Sequence, residues 1–267
     1  MSRRHPHPGA VPAAPHLIGC GMPAAEVPDA AAIGSKAHNL ARMARLGLPV
    51  PPAFVIGTAW CAHAKELVRP VWQDALRALE RQTGLAFGDP RRPLLLSVRS
   101  GAPVSMPGMM ETLLDIGLTD ATVHGLVRLT GNPRLAWDAY RRLVAGYGEV
   151  VLGLPAAAFE TDIAAVAPGR DERELDFDEC RALARAHLQT VQRLHGQPFP
   201  QDPMAQLEAA IGAVFESWSS DKACAYRRLH GLDDAMGTAV TVQRMVFGNA
   251  GGASGAGVGF KIGRAHV

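Results

Sequence analysis

The chain has 267 residues, of which 48% are hydrophobic and 19% charged, enough apolar material to bury a substantial core and too much for a wholly disordered protein. Its 27 Lys and Arg against 25 Asp and Glu leave a net charge of +2 with no block of like charge, so the basic footprint of a nucleic-acid or anionic-membrane binder is absent. Four widely spaced cysteines (Cys20, Cys61, Cys180, Cys224) show no metal-ligand spacing and fit a reduced, cytoplasmic setting, and no window reaches the roughly 18 apolar residues of a membrane span.

Residues 1–15 are rich in Pro, Ala and Gly after an early Arg and His pair, which predicts a disordered tail rather than a signal peptide. Residues 36–46 carry Leu40, Met43, Ala44 and Leu46 at helical spacing, with Gly34-Ser35 as the start and Gly47 as the stop. Residues 49–56 predict an extended run into a strand, 58–82 a helix, and 94–98 a short buried strand, together a first lobe over 16–118. Helices are expected over 121–129, 134–152 and 177–194, with breaks at Pro155, Pro168 and 198–203. In the third, Cys180, Leu183, Ala184, His187, Leu188, Val191 and Leu194 share one face. This is a helical subdomain, 119–202, inserted into a mixed one. A further helix over 204–219, with Leu207, Ile211, Val214, Phe215 and Trp218 as its apolar stripe, returns to the first lobe through 203–237. The period then changes to two: 238–247 and 256–260 predict strands joined by a glycine-rich link, the start of a second lobe at 238–260 with only two of its strands. The fold class expected is α+β.

Three places have residues suited to phosphate or nucleotide chemistry. Lys36 follows Gly34-Ser35 at a helix start, where free N–H groups and the helix dipole favour an anion; the other reading is an exposed first-turn lysine. Arg99 leaves a buried strand in Ser97-Val98-Arg99-Ser100-Gly101, and its planar fork suits phosphate oxygens. The loop that follows, with Gly101, Ser105, Met106, Pro107, Gly108 and Thr112, lets backbone N–H groups approach an anion; alternatively the turn is structural and Met106, Met109 and Met110 are packing. On the late strand, alternation sends Gln243 and Met245 to one face and Val242, Arg244 and Val246 to the other, either as the wall of an adenine pocket or as plain sheet core. The histidines form no nucleophile or metal constellation.

Taken together, four ordered strings resemble the pyruvate, phosphate dikinase family. They are Gly34-Ser-Lys-Ala-His-Asn-Leu-Ala-Arg-Met43 with Leu46-Gly-Leu-Pro-Val-Pro-Pro52, Ser97-Val-Arg-Ser-Gly101 with Ser105-Met-Pro-Gly-Met-Met110, Ala213-Val-Phe-Glu-Ser-Trp218 with Tyr226-Arg-Arg-Leu229, and Gly237-Thr-Ala-Val with Val242-Gln-Arg-Met-Val-Phe-Gly-Asn249. The Ser-Met-Pro-Gly-Met-Met string favours this family over phosphoenolpyruvate synthase, which stays as an alternative phosphotransferase. The resemblance implies an ATP-grasp nucleotide-binding domain with an incomplete second lobe, holding ATP and Mg²⁺ between lobes and passing a phosphoryl group to a histidine on a further domain. The full reaction it implies converts pyruvate, ATP and phosphate to phosphoenolpyruvate, AMP and pyrophosphate.

By the same resemblance Lys36 and Arg99 bind and neutralise phosphates, Gly101, Ser105, Met106, Pro107, Gly108 and Thr112 form the loop over them, and Gln243, Met245 and Val246 lie at the adenine end. The Mg²⁺ ligands, the phosphohistidine domain, a pyruvate-binding barrel and a homodimer contact fall beyond Phe260. Where the family has Gly-Gly-Lys-Gly this chain has Gly34-Ser35-Lys36-Ala37, so crowding by the side chains at 35 and 37 is expected, and Pro103 and Val104 depart from the family's loop. Residues 261–267 read as a non-native tail, of which 262–267 resemble a translated sequencing adapter, and a fragment of this extent is expected to lack turnover. A stand-alone nucleotide-binding module, or a poorly folded product with an exposed sheet edge, are the other readings.

Overall fold

The computed structural model describes residues 12–19, 26–251 and 253–257. At its centre is a five-stranded antiparallel sheet in which β1 (His16–Ile18), β2 (Ala53–Ile56), β7 (Ala239–Arg244), β5 (Leu96–Gly101) and β6 (Thr112–Ile116) lie side by side in that order. A parallel pair, β3 (Ala86–Phe87) and β4 (Pro93–Leu94), stands apart from it.

The two faces of the sheet differ in side-chain size, and this decides what each face packs. On one face Ala53, Val55 and Ala239 meet Ile33, Ala37 and Ala41 of α1 (Ala30–Arg45), with Ile18 and Val50 closing the cluster. Alanine against alanine lets the helix axis approach the sheet closely. On the other face Phe54, Ile56, Leu96, Val98, Leu113, Ile116, Val240 and Val242 enter the main core. That core takes Trp72, Leu76 and Leu79 from α2 (Arg69–Thr83) and Leu207, Ile211, Val214 and Phe215 from α7 (Pro203–Glu216).

The same core runs without a break into α3 (Thr122–Thr130), α4 (Pro133–Val150), α5 (Ala156–Val166) and α6 (Phe177–His195). The expected face of α6 is seen: Cys180, Leu183, Ala184 and Val191 are fully buried, and the helix opens on a capping box between Asp176 and Glu179 and ends at Gly196 with φ 79°. Aromatic edges tie the block together, with Tyr147 and Tyr140 at 5.3 and 6.2 Å from Phe199. Gln206, wholly buried on α7, accepts from Gly117 N and donates to Leu118 O and Pro200 O, which fixes the helical block to the sheet edge.

Four expectations need correction. Residues 58–82 are not one helix: a 3₁₀ stretch, Thr58–Glu66, is broken at Leu67 before α2 begins, because Pro70 has no N–H with which to continue a helix and suits the first turn of a new one. A helix, α5, occupies the span between Pro155 and Pro168 that periodicity left blank. The described end of the tail is held, since Trp60 Nε1 donates to Ala13 O at 2.9 Å. The strand expected to open a second lobe, β7, is instead the central strand of this sheet, hydrogen-bonded to β2 and β5 along its length. The paired strand expected over 256–260 lies partly, and the tail over 261–267 wholly, outside the described residues. No helix among the described residues is long and apolar enough to cross a membrane.

Candidate functional site

The α1 face of the sheet carries a cleft at the edge of the small-residue cluster, largely apolar in lining but holding two cations. Its volume is about 320 Å³, and it is lined by Lys36, Asn39, Leu40, Met43, Arg99, Ser100 and Thr241. Strand register places Arg99 opposite Thr241 and Ser97 opposite Gln243, so these side chains leave the same face of the sheet.

The helix that delivers Lys36 is bent at Gly34, whose φ of 78° and ψ of 156° are not helical. The bend exists because Gly34 lies against the end of β5: a Cβ there would stand 1.9 Å from Gly101 O. One residue on, Ser35 closes the junction, its N–H and Oγ both donating to Ala102 O at 3.0 and 3.1 Å. The helical segment that carries Lys36 therefore begins after Gly34, as expected, preceded by a short turn of its own capped by Asp29, and the Ser35 N–H is occupied by the loop rather than open to an anion. Ala37 is fully buried with Ile33, Ala41 and Val55, Ser35 faces the loop, and the close approach of backbone to backbone within the chain belongs to Gly34.

Lys36 Nζ donates to Ser100 O at 3.5 Å. Desolvation, and then the Arg99 charge, hold its ammonium below the ordinary lysine range; desolvation also lowers Arg99. Arg99 is oriented from behind, Nη2 donating to Gln243 Oε1 while Gln243 Nε2 donates to Pro51 O at 2.9 Å. The Pro51 carbonyl can only accept, so it fixes which end of the amide faces the arginine. Two cations thus converge on a cleft lined by no carboxylate. Like charges brought together and partly desolvated favour binding of an anion that neutralises both.

The other predicted residues are placed less uniformly. Gly101 closes β5, its N–H donating to Thr238 Oγ1 at 3.2 Å. Ser105, Pro107 and Gly108 are exposed on the loop, and Thr112 is exposed as the first residue of β6, opposite Arg99. Met106 is not: it is buried with Ala102, Trp218 and Ala223, flanked by Met109 and Met110, in a small core of its own, so for the methionines packing is the outcome. Gln243 lies behind Arg99 rather than in the lining of the cleft, and Met245 does not accompany it. β7 ends at Arg244, the Met245 N–H bonds Leu95 O at 2.9 Å, and its side chain lines a different cleft of about 310 Å³ with Leu95, Leu126, Arg244 and Phe247, while Val246 is 66% exposed. The expected adenine wall of Gln243, Met245 and Val246 is therefore split, because alternation ceases where the strand does. Thr241, Asn39, Leu40 and Met43 were missed; their only sequence signal is their phase with Arg99 across strands and with Lys36 along α1.

The family described as pyruvate phosphate dikinase, AMP/ATP-binding domain, matches residues 64–266, which includes Arg99, the 101–112 loop, Thr241 and Gln243. The chain is 44% identical over 255 residues to "Pyruvate, phosphate dikinase" of Rhizobium meliloti (strain 1021), covering 92% of this chain and 28% of the relative. It is 46% identical over 237 residues to the protein of the same name from Giardia intestinalis, and 41% over 239 residues to that of Clostridium symbiosum, each match covering 85% of this chain and 27% of the relative. The chain therefore spans about 27% of the length of such relatives. Both the extent of the match and the identities show that this chain belongs to the pyruvate phosphate dikinase AMP/ATP-binding domain family.

Proposed function

We propose that this chain is the ATP-binding portion of a pyruvate, phosphate dikinase and that the Lys36–Arg99 cleft receives the nucleotide's phosphates. The observation that carries the reading is the convergence of two partly desolvated cations on a cleft without a carboxylate. The Arg99 fork, held by Gln243, offers directed donors to phosphoryl oxygens, and Lys36 adds a mobile point charge. Charge that builds on transferring oxygens is neutralised by groups already in place, which is how such sites lower the barrier. Ser105 and Gly108 on the neighbouring loop and Thr112 at the head of β6 are exposed and offer polar groups, and the apolar stretch of Leu40 and Met43 gives the less polar part of a nucleotide a wall to lie on.

For Mg²⁺ the described residues do not fit: they contain no group of three or more His, Cys, Asp or Glu able to hold a metal, and the cleft offers no carboxylate. We place its ligands, with a second ATP-grasp lobe, a phosphohistidine carrier and a pyruvate-binding domain, in sequence following residue 260. The reaction of the whole protein, by likeness to the relatives named above, is conversion of pyruvate, ATP and phosphate to phosphoenolpyruvate, AMP and pyrophosphate, with this portion alone incapable of turnover.

Thermal unfolding with and without Mg-ATP tests the reading. A ligand at a hundred times its dissociation constant stabilises by about 2.7 kcal/mol, a shift of several degrees for a domain of this size. The expected result is such a shift for the native sequence and its loss in Arg99→Ala. No shift at millimolar Mg-ATP overturns the reading for this chain.

A further inference from the structure

We propose that the Thr241 hydroxyl is a direct hydrogen-bond donor to the phosphoryl group held between Lys36 and Arg99, an inference that rests on the nucleotide-binding reading above. Thr241 is 3% exposed, and its Oγ1 has no hydrogen-bond partner among the described residues, yet the side chain lines the cleft. A buried hydroxyl left unpaired costs stability, and such groups persist where a ligand or water completes them.

The surroundings indicate what kind of partner is missing. Lys36 and Arg99, the two charged groups beside the hydroxyl, are donors with no acceptor capacity, and Lys36 is directed at Ser100 O. The partner best suited to the gap is therefore an acceptor arriving from the cleft, and one that suits two cations as well is an anionic oxygen. Register adds direction: Thr241 stands opposite Arg99 on adjacent central strands, so guanidinium and hydroxyl bear on the same point from rigid backbone. The branched Cβ of threonine in a strand restricts χ1 and holds the hydroxyl in place. Where two cations supply attraction, a fixed neutral donor supplies orientation.

The test is isothermal titration of the full chain with inorganic tripolyphosphate and with ATP, comparing Thr241→Val, which keeps the shape and removes the hydroxyl, with Thr241→Ser, which keeps the hydroxyl. Thr241→Val is expected to weaken both ligands roughly ten-fold without lowering the melting temperature, and Thr241→Ser to recover most of the affinity. If Thr241→Val disturbs the melting curve, Thr241→Ala serves the same comparison. Native affinity in Thr241→Val alongside weakened binding in Arg99→Ala overturns the proposal and leaves the nucleotide reading standing, with the hydroxyl completed by water. Absence of binding to the native chain overturns both.

Discussion

Asp115 shows how much a single residue can record. It sits in β6 with φ 60°, is 7% exposed, and its Oδ1 has no described partner. Burial pushes its carboxyl up to about 7, Arg142 opposing that rise and Asp138 adding to it. A carboxyl raised in the folded state favours folding when protonated, so this contribution is complete below the unfolded value of 3.8 and is lost as pH rises through about 7. The shift from 3.8 to about 7 sets an upper bound of about 4 kcal/mol on that loss. Asparagine has the same shape and tolerates positive φ, so Asp115→Asn is expected to stabilise the protein by about 2 kcal/mol at pH 8 and by nothing below pH 4. Urea unfolding at the two pH values checks this, and an equal effect at both would show that ionisation is not the cause. Nothing in the sequence around position 115 marks the residue: an aspartate in a strand pattern looks like a surface position, and only the packing of α4 over β6 encloses it.

At the scale of elements, what the sequence disclosed were the features set by neighbouring residues. The burial of one face of α6, the glycine stop after α1 and the strand before Gly101 all follow from spacing or from residues a few positions apart. Strand partners do not. β7 was expected to begin a new lobe because a glycine-rich link follows it, whereas its alternation also fits a central strand, and only contacts across more than a hundred residues decide between them. The Arg99 site was half legible for the same reason: the loop motif marks Arg99, while Thr241 reaches it only through that long-range pairing. The junction of α1 and β5 is another such contact. Gly34→Ala would place a methyl 1.9 Å from Gly101 O at a backbone conformation (φ 78°, ψ 156°) that is essentially reserved for glycine. We expect a loss of more than about 3 kcal/mol, together with loss of phosphate binding, because Lys36 and Arg99 are positioned by the two elements that meet there. Chemical denaturation paired with ATP titration checks both arms; a stable variant that still binds would mean the kink is dispensable.

At the scale of the whole molecule, stability and binding oppose one another at the cleft. One contiguous core joins the sheet to the helical block and a second cluster seats α1 on the sheet, and the folded chain is therefore able to hold Lys36 and Arg99 together against their repulsion. Such an arrangement weakens the unliganded protein and is relieved when an anion arrives. Replacing Arg99 by glutamine keeps a donor toward Gln243 and removes one of the two charges. The unliganded Arg99→Gln protein is expected to be more stable than the native one by about 1 kcal/mol, and its melting temperature to be insensitive to pyrophosphate, while the native protein gains stability from pyrophosphate beyond what sodium chloride of equal ionic strength provides. Differential scanning calorimetry of both proteins across a pyrophosphate series checks the two expectations together. A variant that is several kcal/mol less stable would instead make Arg99 a structural residue, whereas a gain without anion and a lost response with it identify a charge retained for binding at the expense of stability.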